Sequence, residues 1–316
     1  MTSLLTNTAA MVALQTLSDI NMSLNKTNNA VSTGLRISQA SDSAAYWSIA
    51  TTTASDNGAL STVRDALAIG ESTLDVMYSG LEAVRDNMQR VKELLVSARQ
   101  PGVDRVNVQA EITGLLADMT NKASASVLNE QNYLAVDSSA ATWNATKSIV
   151  ASFERSATAV SVSTIDINIS NFTLTDAHGT AASRIGILDQ ARGVAASGGL
   201  AADATYTFLD IDVSALTDSA DDLGRLEQII TLADAALIET ITAQNGVGVN
   251  LARAESQRTF ISALMDANDR AIGGLIDANM EEESTKLRAL QTQQQLAVQS
   301  LSIANASAQN VLALFG

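Results

Sequence analysis

The sequence predicts a mainly α-helical protein. Long helices from both chain ends pair antiparallel in coiled-coil fashion, and a small β-containing outer domain is inserted in the middle. Three observations carry this. Apolar residues recur in steps of three and four along both ends. The step changes to two between about residues 148 and 213. The composition, 46% hydrophobic but 3% aromatic with a single proline, suits helix packed on helix. The 316 residues suffice for two or three domains at roughly 100–200 residues each.

The first helical run carries Leu14, Leu17, Asn21, Leu24, Asn28, Val31 and Leu35. A seam then runs through Leu60, Val63, Leu67, Leu74, Met77, Leu81, Val84, Met88, Val91 and Leu95, with Gly70 in the one missing slot. That is about five heptads of a/d pattern. Pro101-Gly102 must end this helix near Gln100. Asp104 offers the N-cap of a shorter helix with Val108, Ile112, Leu115 and Met119 on one side. A short connection between the two favours antiparallel packing.

In the middle, Val160 and Val162 alternate with Ser, and Ile165, Ile167 and Ile169 alternate with Asp and Asn. Thr207, Leu209, Ile211 and Val213 repeat the pattern, so a strand is expected there too. Asp176-Ala177-His178-Gly179 and Ser197-Gly198-Gly199 read as turns. Helical spacing returns at about Asp221 with Leu226, Ile230, Ala233 and Leu237, and continues through Val247, Leu251, Ala254, Ile261, Met265 and Ile272. The last run is Leu287, Leu290, Gln294, Ala297, Leu301, Ala304, Ala308, Val311 and Phe315. Folding the chain back so that its two ends pair is the simplest arrangement.

Charge and composition exclude several functions. With 34 acidic and 19 basic side chains the net charge is −15, and no Lys lies between Lys147 and Lys286. A nucleic-acid binder needs a basic face to displace counterions, so that class is set aside. No Cys is present, which removes disulfides, thiolate catalysis and Cys-ligated metals. The one histidine, His178, has no second His to work with and reads as a turn residue. The Asp-rich middle holds no Asp-x-Asp-x-Asp-Gly loop and reads as a solvated acidic surface. Gly246-Val247-Gly248 lacks the third glycine and the preceding strand of a phosphate loop, and reads as a local weak point or a close-packing site in a helix. No catalytic residue, cofactor or metal site is expected. No run of about 20 apolar residues suggests a membrane span. The first basic residue is Lys26 and the Ala9–Leu14 run is short, so no cleavable secretory signal is expected. A cytosolic protein and one exported by another route both remain open.

The ends themselves are informative. Residues 1–18 and 289–316 carry no charged side chain, yet both are amphipathic with Gln, Asn, Ser and Thr opposite the apolar stripe. A solvated surface helix normally carries charges there. Neutral amides and hydroxyls can be buried and satisfied by hydrogen bonds, whereas each buried ion costs several kcal/mol. Self-assembly through the termini is expected, the other outcome being ends that pack only on their own domain. The assembly residues would be Leu14, Leu17, Leu24, Val31 and Leu35 from one end. From the other end they would be Leu287, Leu290, Ala297, Leu301, Ala304, Val311 and Phe315.

Several motifs, in order, resemble bacterial flagellins. They are Ser32-Thr33-Gly34-Leu35-Arg36-Ile37-Ser38-Gln39-Ala40-Ser41-Asp42-Ser43-Ala44-Ala45, then Gln89-Arg90-Val91-Lys92-Glu93-Leu94-Leu95-Val96, then Gln109-Ala110-Glu111-Ile112. Ile276-Asp277-Ala278-Asn279-Met280-Glu281-Glu282-Glu283 and the ending Gln309-Asn310-Val311-Leu312-Ala313-Leu314 complete the set. The likeness spans roughly residues 1–136 and 222–316. The Phe315-Gly316 ending and Ala45-Tyr46-Trp47-Ser48-Ile49-Ala50 resemble the rhizobial, alphaproteobacterial type.

The resemblance implies a structural filament subunit, not an enzyme, located outside the cell in the flagellum. Residues 1–43 and 275–316 would form an inner tube, 44–136 and 222–274 an outer tube, and 137–221 a variable surface domain. Implied partners are further copies of the chain, with other flagellins as co-assembling subunits, together with an export chaperone, hook-associated proteins and cap proteins. Export would use the flagellar type III route without signal cleavage. Gln89, Arg90, Val91, Glu93 and Leu94 lie in a stretch resembling the flagellin surface recognised by vertebrate Toll-like receptors, with packing between subunits as the primary role. A hook–filament junction protein of the same family is the alternative. A chemoreceptor-like coiled coil would carry charged flanking positions throughout and lack the β insertion.

Overall fold

In the computed structural model the described residues are 7–156, 158–196 and 200–315, with side chains described as far as residue 306. Five helices dominate: α1 (Thr8–Thr33), α2 (Ala44–Ala98), α3 (Arg105–Ala125), α4 (Ala220–Ile276) and α5 (Met280–Phe315). Between α3 and α4 lie six strands: β1 (Val127–Leu128), β2 (Gln131–Asn132), β3 (Ala135–Val136), β4 (Thr146–Arg155), β5 (Val160–Asn168) and β6 (Thr175–Asp176). Three 3-10 turns, at Ile169–Asn171, Ala181–Ser183 and Phe208–Asp210, complete the order. The chain divides into two compact units, Met1–Gly58 with Leu264–Gly316, and Ala59–Ala263. Both α2 and α4 contribute residues to each.

In the larger unit every apolar residue of the expected seam, from Leu60 to Leu95, is buried. The partners of this part of α2 run backwards along α4. Glu71 meets Arg258, Arg85 meets Gln244, Met88 accepts from Thr240, Lys92 pairs with Asp234 and Arg99 with Glu227. The helices are therefore antiparallel. So are α2 and α3, through Asn87 with Asp118 and Arg90 with Glu111. Asp104 caps α3 as expected, accepting from the N–H of Val106 at 3.0 Å and of Asn107 at 3.3 Å. Gly70 interrupts the seam for a physical reason. A Cβ there would stand 2.5 Å from Ile149 Cγ2 of β4, so the slot is already filled from outside the helix pair. Gly246 works the same way against the Phe172 ring, with a Cβ contact at 2.7 Å, and is a close-packing position.

Among the described residues the middle forms three small two-stranded sheets, β1 with β2, β3 with β6 and β4 with β5. The β4–β5 hairpin is antiparallel, pairing Thr146 with Asn168 and Arg155 with Val160, and is irregular between Val150 and Ser152. Ala151, Ile165 and Ile167 lie buried on one face. Leu134, Ile169, Leu174, Leu188, Phe208 and Val213 form the buried interior beneath.

The strand expected over Thr207–Val213 is absent. The Asp210 carboxylate accepts from the Thr207 N–H at 3.1 Å and its hydroxyl at 2.8 Å, which curls the backbone into a 3-10 turn. Gln109 of α3 supplies the pairing a neighbouring strand would give. It donates to the Ile211 carbonyl at 2.8 Å and accepts from the Val213 N–H at 2.9 Å. Ile211 and Val213 are still buried, so the alternation reflects burial without a ladder. Asp176-Ala177-His178-Gly179 does turn, held by the His178 N–H on the Asp176 carboxylate at 3.1 Å. Ser197-Gly198-Gly199 lies outside the described residues.

Candidate functional site

The candidate site is the pair formed by α1 and α5 in the smaller unit. Asn7 caps α1 by accepting from the Ala10 N–H at 3.1 Å, and its amide donates to the Ala304 carbonyl at 3.1 Å. Further along, the Gln294 amide donates to Asn21 Oδ1 at 2.7 Å. Low numbers on α1 meet high numbers on α5, so the pair is antiparallel. Asn21 and Gln294, neutral polar residues within the apolar runs, thus satisfy one another across the pair.

Apolar contacts fill the rest. Leu17, Leu24 and Val31 of α1 are half-buried, as are Leu287, Leu290, Leu301 and Ala304 of α5, while Ala297 is buried. Leu35 is half-buried just beyond α1, in an antiparallel bridge with Asp277. Leu14 lies off this seam and is 55% exposed. The backbone of α5 reaches Val311 and Phe315, whose side chains lie outside those described.

The pairing leaves outer rows uncovered. Met11, Val12, Leu14 and Met22 on α1 are exposed, as are Leu296, Val298 and Ile303 on α5, the last at 67%. Between residues 289 and 306 of α5 these apolar side chains are interspersed only with Gln, Asn, Ser, Thr, Ala and Leu. Burying such a surface forces no ion out of water.

A stitched joint holds the base of the pair. Gly34 takes the left-handed conformation, φ 71°, and its N–H closes α1 on the Ala30 carbonyl at 2.9 Å. The N–H groups of Arg36 and Ile37 both reach the Ile276 carbonyl, and the Ala278 N–H reaches the Gly34 carbonyl at 2.8 Å. The Arg36 guanidinium donates to the Leu275 carbonyl at 2.8 Å. Asn279 then caps α5 by accepting from the Glu281 N–H at 3.1 Å, ahead of Glu281, Glu282 and Glu283 at the positive end of the helix dipole. Asp42 accepts from the N–H groups of Ser38 and Gln39 and stands 3.7 Å from Lys26. The Ser38 N–H is the main cause of an Asp42 carboxyl held below its ordinary value, against a smaller opposing effect of burial.

The 89–94 stretch sits in the larger unit. Val91 of the seam and the adjacent Leu94 are buried, leaving Gln89, Arg90 and Glu93 at the surface. Arg90 bridges to Glu111 at 3.1 Å and Glu93 at 3.2 Å, and the hydrogen bond to Glu111 is the chief reason its guanidinium holds its proton more tightly than usual.

Two buried polar centres had no clear sequence signal. Arg105 donates to the Ala98 carbonyl at 2.9 Å, to the Leu216 carbonyl at 3.1 Å and to Asp218 at 2.7 Å, so one guanidinium ties the end of α2, the start of α3 and the lead-in to α4. Asp176 accepts from the hydroxyl and N–H of Ser138 and the N–H groups of His178 and Ile185. Burial pushes its carboxyl up, yet these hydrogen bonds outweigh that and hold it below the ordinary value. Among the described residues no group of three or more His, Cys, Asp or Glu is placed to hold a metal ion. No helix among them is long and apolar enough to cross a membrane.

Residues 4–139 match the family profile described as the bacterial flagellin N-terminal helical region, and residues 230–315 match the C-terminal helical region. Flagellin C of Rhizobium meliloti (strain 1021) is 41% identical over 324 residues, covering 100% of this chain and 99% of the relative. Flagellin B of Rhizobium meliloti is 36% identical, with 100% of each chain covered. A flagellin of Brucella melitensis biotype 1 is 37% identical, covering 100% of this chain and 99% of its own.

Proposed function

This chain belongs to the bacterial flagellin family and is a subunit of the extracellular flagellar filament, and on that premise we propose how one copy is organised for assembly. The observation that carries the proposal is the α1–α5 pair. It joins the Asn7, Asn21 and Gln294 amides across the pair and leaves apolar rows facing outward, Met11, Val12, Leu14 and Met22 on α1, with Asp19 the one charge among them, and the uncharged Leu296, Val298 and Ile303 on α5. Those rows gain by contact with the same helices of neighbouring copies, at about 25 cal/mol per Å² of apolar surface removed from water.

In this reading residues 1–43 and 275–316 form the inner tube of the filament, 44–136 and 222–274 the outer tube, and 137–221 the surface domain. The seam residues from Leu17 to Leu35 and from Leu287 to Ala304 preorganise the pair within a copy, and Leu14 lies with the rows that meet the next copy. Val311 and Phe315 extend the same spacing towards the chain end. The chain works as a structural protein and carries out no catalysis. It reaches the filament through the flagellar export route with its N-terminus uncleaved. It meets an export chaperone before export, and hook-associated and cap proteins at the ends of the filament. The matched relatives bear the name flagellin over their full lengths, and no observation favours the hook–filament junction alternative.

The test is polymerisation of the purified full chain at raised salt, imaged by electron microscopy. Long helical filaments are expected. A protein that stays monomeric in every salt, or forms only short end-capping assemblies on hooks, contradicts the reading.

A further inference from the structure

Two buried carboxyls meet in the middle region, and the fold treats them differently. Asp176 is 2% exposed, and both its oxygens are taken by the hydroxyl and N–H of Ser138 and the N–H groups of His178 and Ile185. Asp189 is 5% exposed. Its Oδ2 accepts from the Asp176 N–H at 2.7 Å, while its Oδ1 is buried with no hydrogen-bond partner among the described residues. A carboxylate left half-satisfied away from water is costly, and a neutral carboxyl is much less so. The space around Oδ1 is tight. At Gly186 even a Cβ would stand 2.2 Å from Oδ1 and 2.7 Å from the Leu174 carbonyl oxygen. Asp176 has no oxygen to spare for a shared metal ion, so the ligand that fits Oδ1 is a proton.

The same two residues close a loop. Residues 177–183 are mostly exposed, whereas Gly186, Ile187 and Leu188 are buried. The Ile187 and Leu188 N–H groups reach the Thr173 and Leu174 carbonyls, each at 2.9 Å. The charged groups that face Asp189 are Asp176 and Arg184, and Arg184 donates its Nε–H to the His178 carbonyl at 3.1 Å. Arg192 holds the Ile187 carbonyl at 3.1 Å and is paired with Glu239 of α4. His178 is the other titratable group of the loop. Its Nδ1 accepts from the Thr180 N–H at 3.1 Å, so a proton placed there would break that contact and weaken the loop in acid.

We propose that Asp189 is a proton-operated latch on residues 177–188: the loop is closed while the Asp189 carboxyl holds its proton, and it loosens when that carboxyl ionises beside Asp176. Ionisation sets a second negative charge next to the first in a site that water does not reach. Burial is the main influence on the Asp189 carboxyl and lifts it to about 6 from an ordinary 3.8, which puts the change in the neutral range. Asp176 is held below 3.8 and stays ionised throughout. A raised carboxyl favours the closed loop in acid and loses that effect as pH rises through about 6. The His178 contact has the opposite sign, so the two groups can be told apart. The device is independent of the terminal helices and of whether the chain is in a filament.

Hydrogen exchange of the full chain, kept monomeric at low salt, tests the latch. The reporters are the N–H groups of Asp176, Ile185, Ile187 and Leu188, which the closed loop engages. Their protection, corrected for the intrinsic exchange rate at each pH, is expected to fall about tenfold between pH 5 and pH 7.5, as the shift from 3.8 to about 6 requires. Protection along the α2 seam near Met88 is expected to stay level. Asp189→Asn, which is neutral at every pH, should keep the loop protected across the interval, and His178→Gln should retain the wild-type fall. Level protection in the wild type, the same fall in Asp189→Asn, or loss of the fall in His178→Gln overturns the proposal. If Asp189→Asn does not fold, the wild-type and His178→Gln profiles decide the matter.

Discussion

The Gln294 side-chain amide donates to the Asn21 side-chain carbonyl at 2.7 Å, joining residues 273 apart in the sequence. Both sit within apolar runs, where charged side chains would have to be desolvated. Two neutral groups that complete each other cost far less. The pair also fixes register, since sliding α5 by one turn would set both amides against apolar seam residues. The same logic applies at Asn7 and the Ala304 carbonyl. Within one chain these contacts fix how α1 and α5 pair.

Leu301→Asp tests that pair. Leu301 is half-buried on the seam, within the stretch 289–306 that carries no charge. An ion placed there should cost about 2–4 kcal/mol per subunit. The critical concentration for filament growth, measured by sedimentation at neutral pH, should rise at least tenfold. Leu301→Met should leave it within about threefold of wild type.

Arg105→Ala tests the buried tie of the larger unit. Three hydrogen bonds are lost, one of them to the Asp218 carboxylate, and a cavity is left behind. Thermal unfolding should show a loss of about 2–4 kcal/mol. Arg105→Lys keeps the charge without the planar fork and should recover less than half of it.

The middle region that holds Asp189 should be most stable in mild acid. Burial lifts the Asp189 carboxyl to about 6 from an ordinary 3.8; the Asp176 N–H and Arg184 pull it back in part, and the Asp176 charge adds to the rise. A raised carboxyl contributes stability that is fully present below the unfolded value and is lost as pH rises through about 6, worth up to about 3 kcal/mol. Asp176 is shifted down, so its contribution is lost only as pH falls through a value below 3.8. Melting followed by Trp143 fluorescence, in a Trp47→Phe background, should drop between pH 5 and pH 7.5. Asp189→Asn should flatten that slope. A wild-type melting temperature that is level across the interval contradicts the assignment.

Salt should promote growth, and sulfate more than chloride at equal ionic strength. Each copy adds a net charge of −15, and repulsion across subunit boundaries is screened over about 10 Å at 0.1 M salt. Excluded salts also strengthen burial of the apolar rows. A critical concentration that rises with added sulfate would mean that ion pairs between copies dominate the contact.

Much of this was legible in the sequence, and the gaps have physical causes. The α2 seam could be read residue by residue because a helix repeats its contacts every three or four positions, and Leu60 through Leu95 all went inside. The α5 row Leu287, Leu290, Gln294, Ala297, Leu301 and Ala304 was equally periodic and faces α1. At Gly70 the sequence showed a vacancy without its reason, because Ile149 arrives from nearly eighty positions away. The segment from Thr207 to Val213 misled because burial alternates there, yet Gln109 supplies its backbone partners. Arg105 follows a cap residue and looks like a solvated helix start. Only the fold brings the Ala98 and Leu216 carbonyls to it. Leu14 fitted the apolar spacing of α1 but falls outside the intrachain row, and spacing alone cannot say which of two apolar rows meets its own chain.

The central claim is that the terminal helices, with their uncharged ends, form the adhesive surface of the filament. It is tested most directly by deleting residues 289–316 and measuring polymer formation by sedimentation and electron microscopy against the full chain. The truncated protein is predicted to keep the helical content and melting of the Ala59–Ala263 unit and to form no filaments at any salt concentration that polymerises the full chain. Filaments of normal length and critical concentration from the truncated protein would contradict the account.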